Sequence, residues 1–411
     1  MARNIQHKDL FYRKPPPTYK GSQKGSQKKR PKKRKRSKLP FLLLVAAAAG
    51  VIAFSMRDRG EIKKEESQTE SGLEFEVVSN IEETESVQKE SSQAPRNYDN
   101  MLPAAERDIS NAQTDYFNTM MIVDKAGYRY FKFSEENSID FINLIKRTKN
   151  NISSSVNFYT MILPDATDIM LPQTFLADVP QTSDQQKALD YLNASINAVA
   201  PGVRTINPYE ILKANCDQDI FFKLDRNWTA LGAYYGYRMY ANSIGLKPIA
   251  LTDFEENTYE GFRGSMYGQS NENSLLDYTE DIVTYTPSAK IKAAYNQSGS
   301  MVETPLVTDP ASYNTDQKYS AFLGGNYAYM EITNEDIKDG SSLIVVKDAM
   351  GNAMIPFLAC HYHTIYVVDY QNYQMSIPGL VSSTGAKNLL FMCRISATSE
   401  SYDISLMQEI M

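Results

Sequence analysis

Leu343–Asp369 reads LIVVKDAMGNAMIPFLACHYHTIYVVD. Its first four residues are aliphatic and mostly β-branched, as expected of a strand buried on both faces. Lys347 and Asp348 end the run, Gly351 and Asn352 fall in a loop, and Ala353–His361 reads as a helix. Thr364–Val368 is a second apolar strand, ending at Asp369. Strand, helix and strand, with both strands apolar, argue a parallel sheet covered by helices. Such sheets place their chemistry just past the carboxyl ends of the strands. Lys347, Asp348 and Asn352 are therefore candidate ligand-binding residues.

The same alternation continues outward from this segment. Val156–Leu163 is a buried strand stopped by Pro164, and Gly202–Ile206 a shorter one. Ser138–Lys149 has helical spacing at Ile139, Phe141, Ile142 and Ile145, and Ser183–Ala198 carries Leu189, Leu192 and Ile196 on one face. Pro208–Ala214 is a helical turn, and Thr229 is the N-cap of a helix running to Ile244. Tyr116–Val123 and Gly127–Phe133 suggest strands or an entry loop around Asp124–Gly127. Residues 250–330 are polar, Tyr-rich and weakly periodic, an inserted β-region or long loops. The expected fold is α/β, a three-layer sandwich with a mainly parallel sheet.

Charge divides the chain of 411 residues into unlike parts. Residues 1–38 hold fifteen Lys and Arg against one acid, Asp9. Because the whole chain is −6, the remainder is strongly acidic. Between them Leu39–Met56 (LPFLLLVAAAAGVIAFSM) carries no charge. As a helix it spans roughly 27 Å, enough to cross a bilayer core. The preceding basic cluster predicts a cytoplasmic N-terminus and anionic-lipid contact. A cleaved signal peptide is the competing reading, disfavoured by the long basic stretch ahead of the apolar run. A nucleic-acid patch is disfavoured too, because the cluster abuts the apolar segment; no nucleic-acid partner is expected.

The expected domains are a cytoplasmic tail (1–38), a transmembrane helix (39–56), a flexible acidic stalk (57–110) and an extracytoplasmic domain (111–411). The stalk follows from its Glu, Ser, Gln and Thr content, which cannot bury enough apolar surface to order itself. Cys216, Cys360 and Cys393 are too few for a disulfide framework. Only His361 and His363 lie beyond the tail, so neither a metal nor a cofactor is expected.

Phe221–Gly232 (FFKLDRNWTALG) packs an acid, an aromatic and a helix start into a dozen residues. Here the chain resembles the DHHW proteins of Gram-positive bacteria, relatives of SGNH hydrolases and of alginate-type O-acetylation proteins. Within Phe222–Thr229, the family's Thr-Asp-His-His-Trp-Thr corresponds to Leu224–Thr229, and its Gly-Ala-Tyr-Tyr to Gly232–Tyr235. A Phe-x-Gly-Ser/Thr element matches Phe262–Ser265. The family's Lys-Asp-Ser-x-x-Asn-Ala corresponds to Lys347–Ala353. These separated motifs agree in order and spacing over roughly residues 115–375.

The resemblance implies that active relatives use the Ser after Lys-Asp as nucleophile and the second His before Trp as its base. An imidazole titrating near neutrality activates an otherwise weak hydroxyl, and the Asp two residues earlier orients it. This chain has Ala349 at the nucleophile position and Asn227 at the base position. A methyl group cannot attack, and a carboxamide does not take up a proton near neutrality. Asp225 persists without an imidazole to orient. Asp225, Asn227 and Ala349 are thus degenerate catalytic positions, and Asp225, Trp228, Lys347, Asp348 and Asn352 the candidate ligand contacts.

The bland alternatives are a capped helix start with a core tryptophan at Trp228, and a strand-end ion pair or turn at Lys347 and Asp348. Ser265 is the best remaining hydroxyl near a motif but has no visible base. His361, at the far end of the predicted helix, is expected away from the site. The expected function is a membrane-anchored, envelope-facing, non-catalytic protein of this family. Its expected partners are envelope polysaccharide and a membrane-bound O-acyltransferase. The competing readings are an active acyltransferase or esterase using other residues, and a purely structural scaffold.

Overall fold

The computed structural model describes residues 106–266, 275 and 278–411. The expected tail, transmembrane helix and nearly all of the stalk lie outside the described residues. Among the described residues no helix is long and apolar enough to cross a membrane.

The core is an eight-stranded sheet. Its strands are β4 (Asn157–Leu163), β5 (Val203–Ile206), β8 (Ile291–Gln297), β9 (Ser300–Thr304), β10 (Tyr329–Asn334), β11 (Ser342–Lys347), β12 (Thr364–Asp369) and β13 (Asn388–Arg394). The spatial order is β5-β4-β13-β11-β12-β10-β8-β9. From β5 to β12 all neighbours are parallel; β10, β8 and β9 continue the sheet antiparallel. The parallel half is the part legible as apolar runs. Of the antiparallel extension, β8 and β9 fall within residues 250–330, read as an inserted β-region or long loops, where mostly half-buried strands such as Ile291–Gln297 show little apolar signal. Two smaller sheets complete the β-structure. One joins β1 (Thr114–Tyr116), β2 (Met120–Val123) and β3 (Ala126–Arg129); the other pairs β6 (Phe254–Phe262) with β7 (Glu280–Pro287).

Helices cover both faces of the sheet. Phe141 of α1 (Glu135–Asn151) meets Phe391 of β13, with ring centroids 5.7 Å apart. Tyr159 of β4 meets Tyr240 of the helix Ala230–Ile244 at 5.8 Å. In register, Phe391 lies opposite Thr160 and Leu390 opposite Tyr159. Successive strand residues point to opposite faces, so α1 and the second helix lie on opposite sides of the sheet. The helix Gln185–Val199, here α2, and a C-terminal helix, Ser401–Ile410, pack beside α1. We number Ala230–Ile244 as α3.

One expected element differs. Ala353–His361 is not a continuous helix: Ala349–Met354 winds as a 3₁₀ segment and Ile355–Leu358 as a single α-turn. Pro356 lies in that turn, where its missing N–H interrupts no ladder. The three-stranded β1–β3 sheet likewise replaces the longer strands expected there. Asp124 and Lys125 both have positive φ (48° and 65°), forming the two-residue turn that joins β2 to β3.

Candidate functional site

Three neighbouring parallel strands deliver the site. β4 is followed by Asp165, β13 ends at Arg394, and β11 is followed by Asp348 and Ala349. Arg394 lies opposite Leu163 in the β13–β4 ladder, two residues from Asp165. This is the carboxyl edge of the sheet.

The loop bearing Asp225, Asn227 and Trp228 folds back on itself over this edge. Phe221 bridges Trp228, Phe222 N–H donates to Asn227 O (3.3 Å), and Thr229 N–H to Ile220 O (3.0 Å). The Thr229 hydroxyl oxygen accepts Gly232 N–H at 3.2 Å, capping α3 as its residue type predicts. Neighbouring segments fasten the loop from outside. Gly127 N–H of β3 donates to Lys223 O (2.8 Å) and Met266 N–H to Leu224 O (3.0 Å). The carboxylate of Glu280 accepts the amides of Lys223 (2.8 Å) and Leu224 (2.6 Å).

Asp225 spends its carboxylate on backbone amides, accepting Asn227 N–H at 2.9 Å and Ser265 N–H at 2.8 Å. Gly264 permits this approach: a Cβ there would lie 2.2 Å from Asp225 Cβ. Trp228 is fully buried, and its Nε1–H donates to Met350 O at 2.7 Å. The ring lies so close to α3 that a Cβ on Gly236 would fall 2.8 Å from Cη2. The Asp-x-x-Trp loop and the Lys-Asp-x loop are thus tied together directly.

Asp348 is buried. It accepts Met350 N–H at 2.9 Å, capping the 3₁₀ segment, and its other oxygen accepts both Arg394 N–H and Arg394 Nε–H at 3.1 Å. Burial opposes ionisation of Asp348, but the Arg394 charge and these donors outweigh it, so its pKa lies below the ordinary carboxylate value. Arg394 Nη2 then reaches Asn227 Oδ1 at 3.4 Å. Asn227 and the residue before Ala349 therefore contact one guanidinium.

Asn227 and Ala349, more than a hundred residues apart in sequence, belong to one cluster. Ala349 is partly exposed, whereas Asp348 and Met350 on either side are buried. The cluster extends beyond Arg394. Its positive charge is the largest influence on Arg226, whose pKa is lowered, followed by burial and the charge of Arg129. Asp165, partly open to solvent, has its carboxyl raised to about 6 by burial, against the pull of Arg394 and Arg129.

A family model described as "DHHW protein" matches residues 97–368, about two thirds of the chain. The chain belongs to the DHHW family. A DHHW family protein of known structure from Eubacterium siraeum is 22% identical, with a TM-score of 0.65, covering 73% of this chain and 98% of that one. PatB1 of Bacillus cereus, solved with a sulfonyl adduct, is 17% identical at a TM-score of 0.58, covering 73% and 99%. The O-acetyltransferase domain of Pseudomonas putida AlgJ overlays at 0.39 with 11% identity, covering 72% and 99%. A search of curated protein sequences returned no match. The likenesses to the Eubacterium siraeum and Bacillus cereus proteins show a shared α/β fold.

Within this DHHW protein the remaining candidates are held as follows. Lys347 turns its ammonium inward to Asp369 Oδ2 (3.0 Å) in a fully buried ion pair. Asn352 donates to Asn326 Oδ1 (2.8 Å), and its own buried Oδ1 has no hydrogen-bond partner. Ser265 presents a buried hydroxyl that has no hydrogen-bond partner among the described residues. His361 contacts Tyr237 through Nε2 (2.5 Å), and burial lowers its pKa. The Cys360 thiol is pushed up to about 12 by burial. All three cysteines are free, and among the described residues no cluster of His, Cys, Asp and Glu could hold a metal.

Arg394, Arg226, Arg129 and Asp165 are the residues the sequence reading did not single out. Arg226 lies inside the quoted motif, where the family pattern has its first His. A charge closing the apolar run NLLFMCR was the available signal for Arg394.

Proposed function

We propose that this DHHW protein is a membrane-anchored, envelope-facing member of its family that binds at the site without triad catalysis. The observation that carries this is the Arg394 guanidinium lying against both Asn227 and Asp348, the residue before Ala349. With Ala349 and Asn227 in place there is neither a hydroxyl to attack nor a base to activate one. The surrounding loops keep their hydrogen bonds, which supports retained binding rather than a collapsed site.

The apolar segment 39–56 and the basic residues before it support an anchor with the folded domain outside the membrane. Family membership supports a role beside envelope-polymer modification. The proposed partners are an envelope polysaccharide and a membrane-bound O-acyltransferase.

The test is reaction of the purified protein with a fluorophosphonate probe and with p-nitrophenyl acetate. No covalent labelling and no turnover above buffer are expected. Stoichiometric labelling of any serine would overturn the non-catalytic reading.

A further inference from the structure

The altered residues do more than remove a reaction: they assemble positive charge. Arg226 replaces a neutral-to-cationic imidazole position with a permanent cation, and stands beside Asn227, which touches Arg394. Arg129 closes β3, the strand whose Gly127 amide holds Lys223 of the same loop. Its carbonyl accepts the Thr167 hydroxyl at 2.6 Å, fixing β3 against the segment that follows Asp165.

The three guanidiniums are not equivalent. Arg394 is committed to Asp348 and Asn227. Among the described residues, Arg129 and Arg226 make no side-chain hydrogen bond and no ion pair. The nearby acids do not satisfy them. Asp225 is spent on the Asn227 and Ser265 amides and Asp348 on Met350 and Arg394; Asp165 and Glu400, which feel the Arg129 charge, form no ion pair with either arginine. Crowded like charges with unused, planar donor forks are suited to an oxyanion, which a guanidinium binds through two parallel hydrogen bonds. The surrounding domain is strongly acidic, so this is a local cationic focus and not part of a general basic surface.

We propose that Arg226 and Arg129, backed by Arg394, bind an oxyanion group carried on a glycan, a carboxylate or a phosphate. The inference rests on the reading of the site as one that binds and does not react. A negatively charged polymer thereby becomes the ligand class that the altered site selects over a neutral one.

Trp228 is the chain's single tryptophan and adjoins Asn227, so its fluorescence reports this site and not the basic tail. The full chain is titrated at fixed ionic strength with oligogalacturonate, with a glycerol-phosphate oligomer and with a neutral cello-oligosaccharide. A saturable fluorescence change is expected with at least one anionic oligomer, and the one that gives it identifies the group as carboxylate or phosphate. Arg226→Gln and Arg129→Gln should each weaken that affinity at least tenfold, with melting temperature unchanged. Arg226→Lys should fall between, keeping the charge and losing the fork. Equal response to the neutral oligosaccharide would leave a binding site but sink the oxyanion assignment. Wild-type affinity in both glutamine variants, or no response to either anionic oligomer, would overturn it outright. The fluorophosphonate result bears only on the non-catalytic reading, so the two failures are distinguishable.

Discussion

The Arg394 guanidinium donates to the Asn227 side-chain oxygen at 3.4 Å, joining Asn227 to the strand end that also holds Asp348, the residue before Ala349. A histidine restored at 227 would meet that same cation. A neighbouring positive charge disfavours imidazolium, so its pKa should fall below the ordinary value of about 6.5. The double variant Ala349→Ser, Asn227→His is expected to gain fluorophosphonate labelling, with the rate half-maximal below pH 6.5. Absence of labelling in a variant that melts like the wild type would show that more of the pocket has diverged than these two side chains.

Arg394 also anchors the fold. It is buried, and both its backbone amide and its Nε–H reach one oxygen of Asp348. Removing one partner of a buried pair leaves an uncompensated charge and costs about 3–5 kcal/mol. Arg394→Leu is therefore expected to lower Tm by on the order of 10 °C. The double variant Arg394→Leu, Asp348→Asn should recover part of that loss, because no bare carboxylate then remains. A single variant as stable as wild type, measured by scanning calorimetry, would remove the pair from the stability argument.

Gly264 tests the frame that holds the degenerate site. A methyl there would lie 2.2 Å from Asp225 Cβ and 2.5 Å from its Oδ2, far inside contact distance. Gly264→Ala should push Asp225 off the Ser265 and Asn227 amides, lowering Tm and shifting the Trp228 emission. Gly299→Ala meets no atom within 4 Å but forces an L-residue to φ near 89°. It should therefore lower Tm through local strain alone and leave the Trp228 spectrum unchanged. If the two variants behave alike spectroscopically, the close approach at Asp225 is not what shapes the loop.

The parallel half of the sheet was legible in the sequence because strands covered by helices on both faces are continuous apolar runs, as in Leu343–Val346 and Val156–Leu163. The N-cap at Thr229 was legible because the hydroxyl acts on its own neighbours. Strands β8 and β9 were not, since most of their residues are half-buried or exposed and their hairpin joins the sheet through β10, which is remote in sequence. The same distinction holds at the site. Ala349 and Asn227 could be placed by motif, whereas Arg394 joins them only through the β13–β4 register and the β11 loop. Arg129 enters through a separate small sheet, fastened by a backbone contact between Gly127 and Lys223 that side-chain patterns do not announce. Lys347 read as a strand-end polar residue of either role; its inward turn to Asp369 depends on the parallel register of β11 and β12, which sets the two residues side by side.

Several buried acids make stability depend on pH. Burial raises Asp165 and Asp168 to about 6 and Glu280 to about 7. Each binds its proton more tightly folded than unfolded, where carboxylates titrate near 4. Their stabilising contribution is therefore fully present below about pH 4 and lost as pH rises through 6 to 7. Asp348 acts oppositely: its pKa is lowered, so its contribution is present above the unfolded value and lost as the solution becomes more acid than the folded one. Tm should accordingly rise as pH is lowered from about 8 to about 5, then fall in stronger acid as Asp348 is protonated. Asp168 isolates one term, since its carboxylate accepts Gln185 N–H at 3.1 Å and an amide oxygen can take the same place. Asp168→Asn should flatten the slope between pH 5 and 8 while holding Tm at pH 5 near the wild-type value. A Tm that is constant or climbs from pH 5 to 8 in the wild type would contradict the raised values of all three acids.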